Sequence, residues 1–398
     1  MDPIEGFTRL SADEKLDRLL ADGLIGPEDI ELILSFRHTD PLVAGFFERM
    51  TENVVTSYHL PYSISPNFLI NGKTYHVPMV TEESSIVAAA SWSAKFWRSR
   101  GGFLTTVLDE IKVGQIHFTW DGQYHQLAEY LQVFQPLLID ESRHITAGMD
   151  ARGGGITGME MVDFSEEADH LYQLRVSFLT ADAMGANFIN SCLELMAGRL
   201  RDHVAAAFPS VPPPEIIMAI LSNYTPNCLV SCTVECQSKD LTGIRGADDP
   251  NQFARRFGLA ARIAEIDPYR AVTHNKGIFN GIDAVILATG NDFRAVEAGG
   301  HAWAAKDGKY QSLTRIEQTG DLFRYTLTVP MAVGTVGGLT SAHPLARLSL
   351  RILGNPSARE LMQIAAAAGM ANNFSAVKAL ITNGIQEGHM KLHKRKSH

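Results

Sequence analysis

The sequence predicts an α+β protein: a large mixed α/β domain carrying an inserted ferredoxin-like βαββαβ unit. Three observations lead there. Residues 112–222 read strand, helix, strand, strand, helix, strand, the order of such a unit. The 398-residue length exceeds one ordinary core, so two domains are expected. Apolar residues make up 45% and charged residues 20%, the balance of a globular chain. The expected boundaries are 1–111 for the first part of the large domain, 112–222 for the insert, 223–384 for the second part and 385–398 for a C-terminal segment.

The elements follow from local signals. Ser11-Ala12-Asp13-Glu14 has the form of a capping box and opens a helix that stops near Gly23. Gly26-Pro27 starts another, through Phe36. Residues 58–80 read as extended chain with Asn71-Gly72 as a hairpin turn. An alanine-rich helical pattern covers 82–100 and ends at Gly101-Gly102. In the insert, strands are expected over 112–120, 158–164, 171–179 and 216–221, and helices over 124–138 and 183–208. A helix over 251–266 resumes the large domain. The segment 273–283 follows, then a hairpin (312–316 with 324–329), a glycine-rich loop at 334–338 and two helices, 358–369 and 374–384.

Composition excludes several classes. A net charge of −9 and a pI near 5.9 argue against general nucleic-acid affinity. The first twenty residues are charged throughout, with no apolar stretch of signal-peptide type. No uninterrupted apolar run approaches the ~18–20 residues of a membrane span. The four cysteines give no disulfide framework, and a cytoplasmic location is expected. Cys228, Cys232 and Cys236 recur every fourth residue without paired histidines, which reads as buried thiols rather than a metal site.

The most informative stretch is Thr273-His274-Asn275-Lys276-Gly277, continuing through Asn280 to Asp283, with Asp292 after an apolar run. It places one lysine among amides and glycines. A buried ammonium there needs a partner or a task, and one aimed at a carbonyl oxygen would stabilise developing negative charge. Glu82 and Glu83 stand at an expected helix start, where the dipole favours carboxylates. Asp292 has the position of an N-cap for the helix beginning at Phe293. Asp182-Ala183-Met184-Gly185-Ala186-Asn187 opens the long helix of the insert. Its residues fit a phosphate-binding turn or an N-cap with close packing equally well. Gly153, Gly155 and Gly158 match the dinucleotide fingerprint in spacing only, because the chain continues there as a strand. His389 precedes a basic tail and on its own reads as solvated.

Together these segments resemble the hydroxymethylglutaryl-CoA reductase family in its soluble bacterial, class II form. The resemblance runs from about residue 52 to 393. It rests on Pro78-Met79-Val80-Thr81-Glu82-Glu83-Ser84-Ser85, on 182–187, and on Asp267-Pro268-Tyr269-Arg270 leading into 273–283. Gly290-Asn291-Asp292-Phe293-Arg294-Ala295-Val296-Glu297 and Gly384-Ile385-Gln386-Glu387-Gly388-His389-Met390 complete it.

The resemblance implies two successive NAD(P)H hydride transfers, converting hydroxymethylglutaryl-CoA to mevalonate and free CoA through a hemithioacetal and mevaldehyde. Lys276 would polarise the thioester carbonyl, Glu83 supply protons, Asp292 hold the lysine, and His389 protonate the departing thiolate. Arg270 would pair with the substrate carboxylate. Ser85, Asn223, Asn280, Asn372 and Asn373 would line the substrate pocket, and Asp182, Met184, Gly185, Ala186 and Asn187 the cofactor loop. It also implies a homodimer or larger assembly with interfacial active sites, no bound metal, and no nucleic-acid or membrane partner.

Two departures bear on the expectation. Gln135 stands before Pro136-Leu137-Leu138, where NADH-using members carry an aspartate. A neutral amide does not repel a 2′-phosphate, and Arg143 or Arg152 would meet one, so NADPH is the expected cofactor with NADH use left open. Family members also continue past the histidine through a flap, whereas this sequence stops at His398. Alternatives from the sequence are the same catalyst oxidising mevalonate, an acyl-CoA-binding protein without turnover, and an ordinary dehydrogenase indifferent to Lys276.

Overall fold

The computed structural model of the chain describes residues 3–382. It forms two compact units, Met1–Pro61 and a second that begins at Tyr62. In the first, α1 (Ala12–Ala21) is opened by the expected capping box, with Ser11 and Glu14 capping each other's backbone. Helices α2 (Pro27–Ser35) and α3 (Pro41–Glu48) each carry proline in the first turn.

The second unit opens with the hairpin β1 (Tyr62–Ile70) and β2 (Lys73–Val80). Its turn has Asn71 and Gly72 at φ 46 and 80°, the left-handed pair that a two-residue hairpin needs. Helix α4 (Ile86–Arg98) and β3 (Leu104–Val107) follow. The next run is β4 (Lys112–Thr119), α5 (Tyr124–Glu141), α6 (Arg143–Asp150), β5 (Gly155–Asp163), β6 (Leu171–Leu179), α7 (Ala186–Ala207) and β7 (Glu215–Leu221). These strands form one antiparallel sheet in the order β5-β6-β4-β7. Its core is drawn from its own segment, with Ile116, Phe118, Phe134, Leu174, Phe178 and Leu193 fully buried together. The glycine triplet at 153, 155 and 158 runs into β5, which rules out a dinucleotide turn there.

The chain continues through β8 (Leu229–Gln237), α8 (Pro250–Ile266), α9 (Pro268–Ala288), α10 (Phe293–Ala304), β9 (Thr314–Thr319) and β10 (Leu322–Pro330). Helices α11 (Gly338–Ala342), α12 (Pro344–Ile352) and α13 (Ala358–Ile381) complete it. The second sheet has the order β3-β8-β10-β9. The thiols of Cys228, Cys232 and Cys236 are free, and burial pushes all three above the usual thiol range.

Two departures from the sequence reading matter for the site. The segment 273–283 lies inside α9, and the two helices expected at the end are one, α13. The glycines are the reason in both cases. A Cβ on Gly281 would meet the carbonyl oxygen of Ala368 at 2.3 Å, and one on Gly369 would meet Ile282 at 2.7 Å. Each is a point where the two helices pack closely, so the glycine serves packing inside a helix instead of ending one. Helix α13 is long and apolar enough by composition to cross a membrane, yet 78% of that window is buried in the core.

Candidate active site

The site is built on the face where α9 meets α13 and on the loop 81–85 between β2 and α4. That loop is irregular, so Glu82 and Glu83 precede the helix instead of opening it, contrary to the expectation. Ser85, the residue before α4, sits at φ 85°, a left-handed conformation unusual for serine. Such strain is held by its surroundings and concentrates at ligand sites.

Lys276 projects from α9 and its Nζ donates to Oε2 of Glu83 at 2.6 Å. The pair is 193 residues apart in sequence. It lies at a cavity of about 480 Å3, inside the range of small-molecule sites. Arg270, Ser85, Asn280, Asn372 and Asn373 line the same cavity. The expected substrate-side residues, Asn223 apart, are therefore brought to one place with Lys276 and Glu83.

One premise needs correcting. The sequence reading expects a buried ammonium, but the Lys276 side chain is 59% exposed and that of Glu83 38%. An exposed ion pair contributes little to stability, so folding gains almost nothing from this one.

Asp292 is elsewhere. It caps α10, accepting from the backbone N–H of Arg294 and Ala295 and pairing with the Arg294 guanidinium. Lys276 is followed by 12 further residues of α9, which place the end of that helix about 18 Å away along its axis. Helix α10 then doubles back, since a Cβ on Gly300 would meet the Phe279 ring. Asp292 stays at the far turn and does not hold the lysine of its own chain. Asn223 likewise lines a different, smaller cavity, with Met184, Ala186 and Lys112. His389 lies outside the described residues.

That smaller cavity adjoins the loop expected to take the dinucleotide. Gly185 precedes α7 at φ 96° and no side chain caps the helix, which leaves its first-turn N–H groups without a capping acceptor. Asp182 is not that cap. Its carboxylate accepts from the backbone N–H of Ala358 at 2.7 Å, so it caps the start of α13. Sequence reasoning missed Lys112, whose buried Nζ donates to Thr180 Oγ1 and to the Ala183 carbonyl at 2.9 Å. Burial lowers its pKa. Only the solitary lysine at the head of an apolar strand hinted at it. Gln135 lies half-buried on α5, Arg143 pairs with Asp140 at 2.9 Å, and Arg152 is exposed beside Met149.

Two more titratable groups lie on α9 itself. His274 is buried against Thr314 Oγ1 (2.7 Å) and Tyr325 (3.1 Å), and burial followed by the Arg270 charge drops its pKa to about 3. It is a neutral core imidazole. Asp283 is held well above the carboxylate range, first by burial and then by Glu297 and Glu82.

The sequence model of the hydroxymethylglutaryl-coenzyme A reductase family matches residues 26–394. A reductase of that name from Archaeoglobus fulgidus is 37% identical over 396 residues, 98% of this chain and 86% of its own length. The chain belongs to the hydroxymethylglutaryl-CoA reductase family. A probable member from Borreliella burgdorferi is 34% identical over 88% of this chain and 78% of its own. Among solved structures, the Streptococcus pneumoniae reductase superposes with a TM-score of 0.79 at 38% identity, covering 98% of this chain and 90% of that one. A class II structure from the same organism, described as bound to NADPH in open conformations, gives 0.78 at 36% identity over 96% and 100%. This reductase is accordingly of class II, with a mixed α+β fold, and its reaction is the NAD(P)H-dependent step of the mevalonate pathway that consumes hydroxymethylglutaryl-CoA.

Proposed function

We propose that Lys276 and Glu83 form the catalytic pair of this reductase and that the cavity they border seats the acyl part of the substrate. The observation that carries this is the 2.6 Å contact between two groups far apart in sequence, at the mouth of a 480 Å3 cavity. Lys276 donates to the thioester carbonyl oxygen and stabilises the oxyanion formed on it. Glu83, already in hydrogen-bond reach of that ammonium, delivers the proton that the oxygen requires. Arg270 takes the carboxylate with its guanidinium fork, while Ser85, Asn280, Asn372 and Asn373 orient the acyl chain. His389 protonates the leaving thiolate of CoA.

The dinucleotide binds at Met184, Gly185, Ala186 and Asn187, where the uncapped start of α7 fits a pyrophosphate. Bound there, the nicotinamide supplies hydride. NADPH is the preferred form, since Gln135 bears no charge against a 2′-phosphate. Residues 112–222, in which the expected βαββαβ succession is kept but for the added helix α6 and the sheet order is β5-β6-β4-β7, constitute the inserted ferredoxin-like cofactor domain of a cytoplasmic enzyme.

The assembly is a homodimer with interfacial sites. Asp292 cannot reach Lys276 along its own chain, so it enters the site of a second copy. An exposed apolar stripe supports this: Leu259, Ile263 and Ile266 on α8 continue into Tyr269 and Val272 on α9, one turn from Lys276.

Lys276→Ala is the test. With the thioester, kcat falls by about 10²–10³-fold, the scale of losing one oxyanion donor, while Tm stays put because the side chain is exposed. Turnover near that of the parent enzyme would refute the assignment.

A further inference from the structure

The cavity holds a third cation that the reaction as described leaves unused. Lys378 projects from α13 into it beside Trp92, its Nζ 3.5 Å from the centre of the indole ring. Helices α9 and α13 run antiparallel. The Asn373 side chain donates to the His274 carbonyl at 3.0 Å, and Gly281 abuts Ala368. Numbers therefore fall along α13 as they rise along α9, and this register sets Lys378 level with Arg270.

Both cations stand at one end of the cavity. Arg270 precedes Lys276 by six positions, about 9 Å along the helix axis. Burial lowers the pKa of each, and no carboxylate pairs with either among the described residues. Two half-buried cations without an anion carry a desolvation cost that a bound anion would offset. The Trp92 face lowers that cost for Lys378 without neutralising it.

We propose that Lys378 is a second binding residue for the substrate's carboxylate, closing on it from α13 while Arg270 closes from α9. This deepens, and rests on, the assignment of the cavity to the acyl part of the substrate. The separation favours the carboxylate over the phosphates of CoA. In the acyl chain the carboxylate lies roughly 5 Å from the thioester carbon, within reach of side chains one and a half turns from Lys276. The phosphates sit beyond the whole pantetheine arm.

Product inhibition separates the two anions, because mevalonate carries the carboxylate alone and free CoA the phosphates alone. The inhibition constants of both, the KM of NADPH and Tm are measured for Lys378→Met, Lys378→Arg and Arg270→Met in the full-length enzyme. Lys378→Met raises the mevalonate constant by about tenfold or more, as expected for losing a charge-assisted bond, and leaves those of CoA and NADPH unmoved. Lys378→Arg, which also stacks on tryptophan, restores most of the loss. An unchanged mevalonate constant in Lys378→Met overturns the proposal, as does a rise for CoA, alone or together with mevalonate. If Arg270→Met also leaves mevalonate binding intact, the cavity assignment itself fails. If only Lys378→Met does, the role of Lys378 alone is lost.

Discussion

The two regions proposed for substrate and dinucleotide are held in opposite ways. On the side proposed for the substrate, the charges of Lys276 and Glu83 sit on a helix and a strained loop, but remain half open to solvent. On the side proposed for the dinucleotide, a buried ammonium is used inside the protein. Lys112 holds the Ala183 carbonyl and Thr180, Thr180 itself donates to that carbonyl, and the backbone of Thr335 donates to the Asp182 carbonyl. One region leaves its charges open to solvent. The other uses its charge to brace the backbone just ahead of the uncapped start of α7. The exposed pair therefore adds little to folding, whereas the buried Lys112 holds the fold of its own loop.

Lys112→Met is the larger way to break this contrast. It removes the bond to the half-buried Ala183 carbonyl, which keeps only its Thr180 donor, a cost of about 1 kcal/mol. The KM of NADPH rises by about tenfold, while that of hydroxymethylglutaryl-CoA is unchanged. Steady-state kinetics with each substrate varied in turn reads this. Equal damage to both would mean that the two regions are not separately held.

The smaller effect is a pH dependence on the substrate side. His274 titrates near 6.5 when unfolded and near 3 when folded, so the unfolded chain binds the extra proton between those values. Its contribution is complete above about pH 6.5 and declines on acidification by about 1.4 kcal/mol per unit. Asp283 works in the opposite sense, since a carboxyl kept protonated in the fold favours stability at low pH. Comparing Tm of the parent and His274→Gln from pH 8 to 5 isolates the histidine. The parent should lose stability more steeply than the variant, and parallel curves would remove His274 from the account.

Much of the fold was legible where a signal is local. The capping box at Ser11, the Asn71-Gly72 turn and the strand pattern of β6 required no tertiary information. Helix α9 was not, because histidine, asparagine and two glycines make a poor helix by propensity, and only contact with α13 supplies the compensation. The same holds for the single α13, which reads as two helices around Gly369. In the site, residue types were readable and distances were not. The sequence pairs Lys276 with both Glu83 and Asp292, whereas the helix length allows only the first within one chain. Lys112 and Lys378 escaped notice because a lone lysine in an apolar segment looks solvated until the neighbouring elements cover it.

The most direct measurement of the central claim is complementation between two inactive variants, Lys276→Ala and Asp292→Asn. If each site joins Lys276 of one subunit to Asp292 of the other, a mixed dimer holds one site with both groups intact. Unfolding or dissociating and reassembling the equimolar mixture should then recover about a quarter of parental activity, since half the dimers are mixed and each carries one good site of two. No recovery above the separate variants, with mixed dimers shown to form, would contradict a catalytic centre shared between subunits.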